Sequence, residues 1–272
     1  MRQSVLNSMS AMKNVIEIVS RLCLFAIIFL LMQIVAAWLL PVVSFNDDVD
    51  LGQMIAYIIA MMLTLGALTL SNRVLKTPPK PILKSGNGFD PRWILCGVVL
   101  MITLSIVLAP LNDYLPDDRE FSDSAWTLIM VTIVAPVFEE VLFRGKLYEL
   151  LRAKSSPIVS ALLSALMFGL MHLEPVVVVE GFVVGIFLSY IYLRTKSIFA
   201  PIILHMCNNT LAYALKILSY SERPLLDLVD SREYYILIYA ASAVVSALTL
   251  FIALRYLVRY DKIAKRKEGI EE

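Results

Sequence analysis

Charge is scarce in this chain: Asp, Glu, Lys and Arg make up 17% of 272 residues, against 59% apolar residues and a mean hydropathy of +0.76. A soluble domain carries about a quarter charged residues, so this scarcity excludes an ordinary water-soluble fold. The net charge of +1 says little as a total, and no nucleic-acid partner is expected. Cysteine is equally rare: Cys23, Cys96 and Cys207 lie in or near apolar segments, which excludes a disulfide framework. There is no internal repeat, no separate soluble domain and no Gly-rich phosphate loop. No HExxH occurs and no Ser-His-Asp arrangement is apparent. The period-two alternation of a transmembrane barrel is missing too.

Long uncharged stretches fill the chain instead. They run over 22–46, 51–72, 93–112, 124–138, 155–173, 181–193, 197–215 and 234–254. A helix crosses a hydrocarbon core of ~30 Å with roughly 20 residues. The shorter stretches reach that length only by including Glu139, Glu140 and Glu180. Lipid offers the backbone no hydrogen-bond partners, so helices are the spanning form. The sequence therefore predicts an all-α, multi-pass membrane protein of about eight transmembrane helices. Segments 1–21, 72–92, 144–154, 194–196 and 255–272 hold 20 of the 24 Lys and Arg, whereas segments 41–50, 111–123, 174–175 and 219–233 hold thirteen acids. Among these acids are Asp113, Asp117, Asp118, Glu120 and Asp123. By the positive-inside rule both termini face the cytoplasm, and the plasma membrane is the expected location.

Residues 22–257 read as one transmembrane domain. Residues 258–272 form a basic tail, and 72–92, with Pro78, Pro79, Pro81 and Gly86, a cytoplasmic loop. Residues 1–21 lack the cleavage site of a signal peptide. Val5, Met9, Met12, Ile16 and Val19 recur there at helical spacing, which suits an amphipathic helix at the inner leaflet or, equally, a frayed terminus.

Ionisable groups inside a membrane are costly and mark function by default. Here they gather in three helices: Glu139, Glu140 and Arg144 on the fourth, His172 ending the fifth, and His205, Asn208 and Asn209 on the seventh. Both histidines of the protein are in this set. Glu140 and Arg144, four apart, share a face and pair with Glu on the favoured N-terminal side. Such a pair is more often structural than functional. Glu139 lies about 100° around the helix, away from that cation. It is left as a carboxylate in apolar surroundings, where desolvation favours proton acceptance. His205 and Asn209 share a face, as do Phe168 and His172. Asn208 points elsewhere and reads as structural, Cys207 as packing. Glu180, toward the outer side of the sixth helix, either pairs locally or lines a cavity.

With a turn at Ser155-Ser156-Pro157, Glu139 and His172 are equidistant from the hairpin tip and fall at one height. His205 enters roughly 15 Å above the turn near Thr195, so matching its depth to His172 requires tilted helices or a protruding hairpin. A carboxylate, two imidazoles and an amide are the parts of a hydrolytic site. Glu139 takes a proton from water, His205 and Asn209 donate to the developing oxyanion, and His172 positions the water or binds a metal. By ligand identity His172, His205 and Glu139 suit a divalent ion such as zinc, although their spacing has no compact metal signature. Buried Glu and His also serve proton pathways and transport, for which neither inverted repeats nor broken helix pairs are evident.

Glu139-Glu140-x-x-x-Arg144, Phe168-x-x-x-His172 and His205-x-x-x-Asn209, in that order, resemble the three motifs of the CPBP family. These are the CAAX-protease and bacteriocin-processing intramembrane endopeptidases, also called Abi. Gly181, Gly185, Thr195 and Pro201 fit the same run, and the likeness covers about 130–213. The resemblance implies a multi-helix fold and hydrolysis of a peptide bond in a membrane-associated or lipidated peptide or protein. In it, Glu139 corresponds to the water-activating residue and Glu140 with Arg144 to the rest of the first motif. His172 matches the second-motif histidine, and His205 and Asn209 the oxyanion pair. Family members are described both as metalloproteases and as metal-free glutamate-type proteases. A non-proteolytic scaffold of the same fold is the alternative.

Overall fold

The computed structural model describes residues 2–44, 48–75, 92–112, 122–172, 174–217, 229 and 231–267. Most of the loop expected over 72–92, and Asp113, Asp117, Asp118 and Glu120, lie outside them. Among the described residues the structure is all-helical, with eight helices. These are α1 (Arg2–Val43), α2 (Val49–Val74), α3 (Arg92–Asn112), α4 (Ala125–Arg152), α5 (Pro157–Leu170), α6 (Pro175–Thr195), α7 (Phe199–Ile217) and α8 (Arg232–Lys267). Five of them, α1, α2, α4, α6 and α8, are long and apolar enough to cross a membrane. α3 and α5 contain shorter apolar stretches, Ile94–Leu108 and Pro157–Leu170. The polar residues His205, Asn208 and Asn209 dilute the hydropathy of α7.

The expected boundary at residue 22 is not a break in the helix. α1 runs straight through it because its early turns are already tied to the bundle. Arg21 Nη1 donates to Leu150 O (2.8 Å), and Glu17 meets Lys154 (2.5 Å) beside the α4–α5 turn. The boundary at 258 likewise falls inside α8. There, buried Asp261 accepts from the backbone N–H of Ile158 (3.0 Å), supplying the N-terminal cap that Ser156 does not give α5. α2 also continues past its expected end, and buried Asn72 donates to Glu149 on α4 (3.4 Å).

α5 and α6 make the closest helix pair, and their sequences explain it. Ala161, Ala165 and Gly169 recur every four residues on α5, as Gly181 and Gly185 do on α6. Small residues at this spacing let two backbones approach in lipid. A Cβ at Gly185 would stand 3.0 Å from Ala165 Cβ, and one at Gly181 3.1 Å from Gly169 Cα. At Gly169 an added Cβ would collide with Val178 O and lie 2.9 Å from Phe182 N. Backbone on the opposing helix cannot swing aside. Gly169→Ala is therefore expected to lower stability by about 1–3 kcal/mol, read as a lower unfolding midpoint in detergent. Gly66→Ala, whose Cβ meets nothing within 4 Å, is the control and should leave the midpoint unchanged or slightly raised.

α4 packs against α1, α2, α5 and α7. It is interrupted by two wide π-helical turns, Met130–Val134 and Val141–Leu147, which bracket Ala135–Glu140. Pro136 has no N–H to continue the ladder, which accounts for the first interruption. Wide turns free backbone carbonyls, and side chains from other helices take them up. Ser164 of α5 donates to Phe143 O (2.7 Å) and Asn209 of α7 to Val131 O (3.0 Å). These bonds lock α4 against α5 and α7 on either side of the two glutamates. Two apolar clusters complete the packing. One joins α3, α5, α6, α7 and α8 through Leu100, Ala165, Phe187, Leu204 and Leu257; the other joins α1, α2, α4 and α5 through Phe25, Met61, Phe143 and Phe168.

Candidate active site

Glu139 and Glu140 end the segment between the two wide turns and project toward different neighbours. Glu140 is fully buried and meets Arg144 one turn on, with Nη1 2.7 Å from Oε1. Arg144 is itself buried, and its Nη2 donates to Gly185 O (3.2 Å) on α6. Its guanidinium lies 4.5 Å from the centroid of the Phe168 ring. The ion pair predicted by the i,i+4 spacing is thus formed, and it extends across three helices.

His205 reaches the same carboxylate from α7. Its Nδ1 is 2.9 Å from Glu140 Oε1, and its Nε2 is 3.7 Å from Glu139 Oε2. The imidazole therefore stands between two carboxylates. Glu140, paired with Arg144, is an acceptor, so His205 Nδ1 carries the hydrogen of that bond and a neutral ring presents an acceptor Nε2 toward Glu139. Glu139 differs from its neighbour. Its Oε1 accepts from the Tyr57 hydroxyl (3.2 Å), while Oε2 is buried and has no hydrogen-bond partner. Its side chain keeps 17% of its surface accessible, against none for Glu140. One glutamate is locked into structure. The other is held at one oxygen alone.

The second-motif histidine sits differently from expectation. α5 is only 14 residues long and ends at Leu170, so His172 occupies the turn beyond it. Its Nδ1 lies 2.8 Å from Phe168 O, an acceptor, so this nitrogen carries the hydrogen and Nε2 is left to face outward. His172 makes no hydrogen bond or ion pair to Glu139. What joins the two histidines is Phe168, whose ring stands edge-on to His172 (5.1 Å) and to His205 (5.4 Å).

Asn209 is brought to the first wide turn of α4 rather than to the carboxylates. One Nδ2 hydrogen is used on Val131 O, and the second remains available. Asn208 donates to Asn209 Oδ1 (3.3 Å), which fixes the amide orientation. Glu180 accepts from Ser105 of α3 (3.0 Å). Tyr57 was not anticipated from the sequence. It lies in the middle of the apolar run of α2, and no spacing relates it to the motifs.

The ligand set Glu139, His172 and His205 does not converge on one point. Among the described residues no group of three or more His, Cys, Asp or Glu side chains is arranged to hold a metal ion. His205 has its Nδ1 committed to Glu140, and His172 has one nitrogen turned onto its own helix end.

Residues 121–211 match the family described as type II CAAX prenyl endopeptidase Rce1-like. Among curated proteins, the chain is 23% identical over 159 residues to "Putative membrane peptidase YdiL" of Bacillus subtilis (strain 168), covering 53% of this chain and 65% of that protein. It is 26% identical over 201 residues to "Membrane-embedded CAAX protease MroQ" of Staphylococcus aureus (strain USA300), covering 66% and 81%. It is 30% identical over 146 residues to "Uncharacterized 24.3 kDa protein" of Escherichia coli, covering 49% and 67%. The match thus spans just under two thirds of the Bacillus protein's length. No solved structure matches. The ordered motifs, the bundle that gathers most of them around one pair of glutamates and these likenesses agree: the chain belongs to the Rce1-like family of type II CAAX prenyl endopeptidases, multi-pass membrane proteases.

Proposed function

We propose that this protein is an intramembrane endopeptidase that hydrolyses a peptide bond of a membrane-associated or lipidated peptide, with Glu139 as the base that activates water. The observation that supports it most is the divided state of Glu139: Oε1 held by Tyr57, Oε2 buried without a partner 3.7 Å from His205 Nε2. A buried carboxylate oxygen without a partner is expensive, and it persists where it does chemistry. Two acceptors so spaced suit one water molecule donating a hydrogen to each.

In this reading Glu139 Oε2 removes a proton as the water oxygen bonds to the carbonyl carbon. The free N–H of Asn209 donates to the oxyanion that forms. His205 can add a second donor only as an imidazolium, because Glu140 already engages its Nδ1 side. Glu139 then returns the proton to the amide nitrogen, the C–N bond breaks, and a carboxylic acid and an amine leave, the acid passing its proton to the amine. Glu140 and Arg144 hold His205 in place, and His172 orients the substrate or the water through Nε2. The basic residues concentrated at one end of the crossings support termini on the cytoplasmic side and a plasma-membrane location, with the bilayer itself as the surrounding partner.

The test is cleavage of farnesylated and unmodified internally quenched peptides by the purified protein, with Glu139→Ala beside it. Cleavage lost in the variant supports the reading; cleavage retained at the wild-type rate overturns it. A Glu139→Ala gene that fully restores the deletion phenotype would favour the scaffold alternative. The donor arrangement gives a further expectation: EDTA or 1,10-phenanthroline leaves the cleavage rate unchanged. Loss of the rate with chelator and recovery with added zinc would place a metal in the reaction.

A further inference from the structure

The active-site motifs all lie within the family-matched segment 121–211, yet among the described residues the hydrogen bond to the Glu139 carboxylate comes from outside it. Tyr57 belongs to α2. Its ring meets that of Phe138, the residue preceding Glu139, edge-on at 6.4 Å, and it packs against the apolar cluster of Phe25, Met61 and Phe168. A phenol in such surroundings is useful because one end is apolar and the other needs a partner. The partner here is Glu139 Oε1.

The terminal torsion of a glutamate is broad and roughly two-fold, so a carboxylate on its own samples many orientations. Arg144 is committed to Glu140, and His205 Nε2, at 3.7 Å, is too far to clamp Glu139. The tyrosine hydroxyl is therefore the group that selects which oxygen faces His205. At 3.2 Å the bond is longer than most O–H···O bonds, as hydrogen bonds of this kind often are before substrate tightens a site.

We propose that Tyr57 is a positioning residue for the reaction: by donating to Oε1 it turns Oε2 toward His205 and holds it there for the attacking water. This rests on the reading of Glu139 as the base. It also assigns α2, which contributes no motif residue, a direct part in the geometry of the site.

Tyr57→Phe keeps the ring and its packing and deletes only the hydroxyl, so its effects separate orientation from folding. On an internally quenched peptide bearing a farnesylated cysteine, kcat should fall about tenfold or more with KM and the unfolding midpoint unchanged. An unchanged kcat in Tyr57→Phe would overturn the proposal. A second measurement needs no cleavage. The infrared carboxyl-stretch band that disappears in Glu139→Gln is assigned to Glu139, and in Tyr57→Phe it should shift. If that band stays in place, Tyr57 does not hold Glu139, whatever the peptides show. If wild type fails to cleave while the band shifts, the base assignment fails and the contact stands.

Discussion

Glu139→Ala should abolish measurable cleavage, a loss of at least about 10²–10⁴-fold, while the protein still inserts and unfolds at its normal midpoint. The two halves of this expectation come from different contacts. The rate falls because the neighbouring glutamate cannot take over as base: Glu140 is closed in by Arg144 and His205. Stability holds because Glu139 gives up one hydrogen bond, to Tyr57, and its other oxygen has none to lose. Glu139→Gln is the sharper variant. It keeps the shape and a hydrogen-bonding oxygen, so an equal loss of rate would identify proton transfer rather than packing as what was removed. Cleavage rates beside an unfolding curve in the same detergent check both halves. A large fall in midpoint would show that Glu139 is structural.

Arg144→Ala should behave in the opposite way, costing about 3–5 kcal/mol of stability and losing activity as a consequence. Arg144 is the largest fully buried side chain, and it joins Glu140, the Gly185 carbonyl and the Phe168 face. Removing it strands a buried carboxylate and releases a carbonyl where α5 and α6 approach most closely. The network is also incompletely satisfied, since Glu140 Oε2 and Arg144 Nε have no partners. A half-satisfied buried network is vulnerable to single changes. Lys cannot replace it: an ammonium reaches Glu140 but lacks the planar fork that also serves Gly185 and Phe168. Replacing both members, as Glu140→Met with Arg144→Met, should destabilise less than Arg144→Ala alone, because no charge is left unpaired. That double variant should still be inactive, because His205 loses the carboxylate that fixes its Nδ1. A well-folded, active double variant would remove Glu140 from the site.

These variants touch residues of differing legibility. The i,i+4 relation of Glu140 and Arg144 is fixed by helical geometry and needs no tertiary information. The helical content and the selection of Glu139, His172, His205 and Asn209 as polar groups in or beside apolar segments also follow from one sequence. Lipid penalises such groups so heavily that their presence is itself a signal. His172 was harder. Equal distance from a turn placed it level with Glu139, but a 14-residue α5 ends before it and turns its Nδ1 onto Phe168 O. Helix ends depend on caps, and this helix is capped at its other end by Asp261, more than a hundred residues away in sequence.

The sequence by itself therefore determined which residues are costly to bury and how each lies along its own helix, because both follow from local periodicity and solvation. Tertiary structure alone decided which of those residues meet. The wide turns of α4, the glycine-lined approach of α5 to α6 and the arrival of α2 are settled by packing between distant segments. His205 comes to lie between two glutamates, and Tyr57 reaches Glu139, through the packing of α7 and α2 against α4. A helix rotated by one residue turns its side chains about 100°, and no pattern within a single helix specifies that rotation against its neighbours.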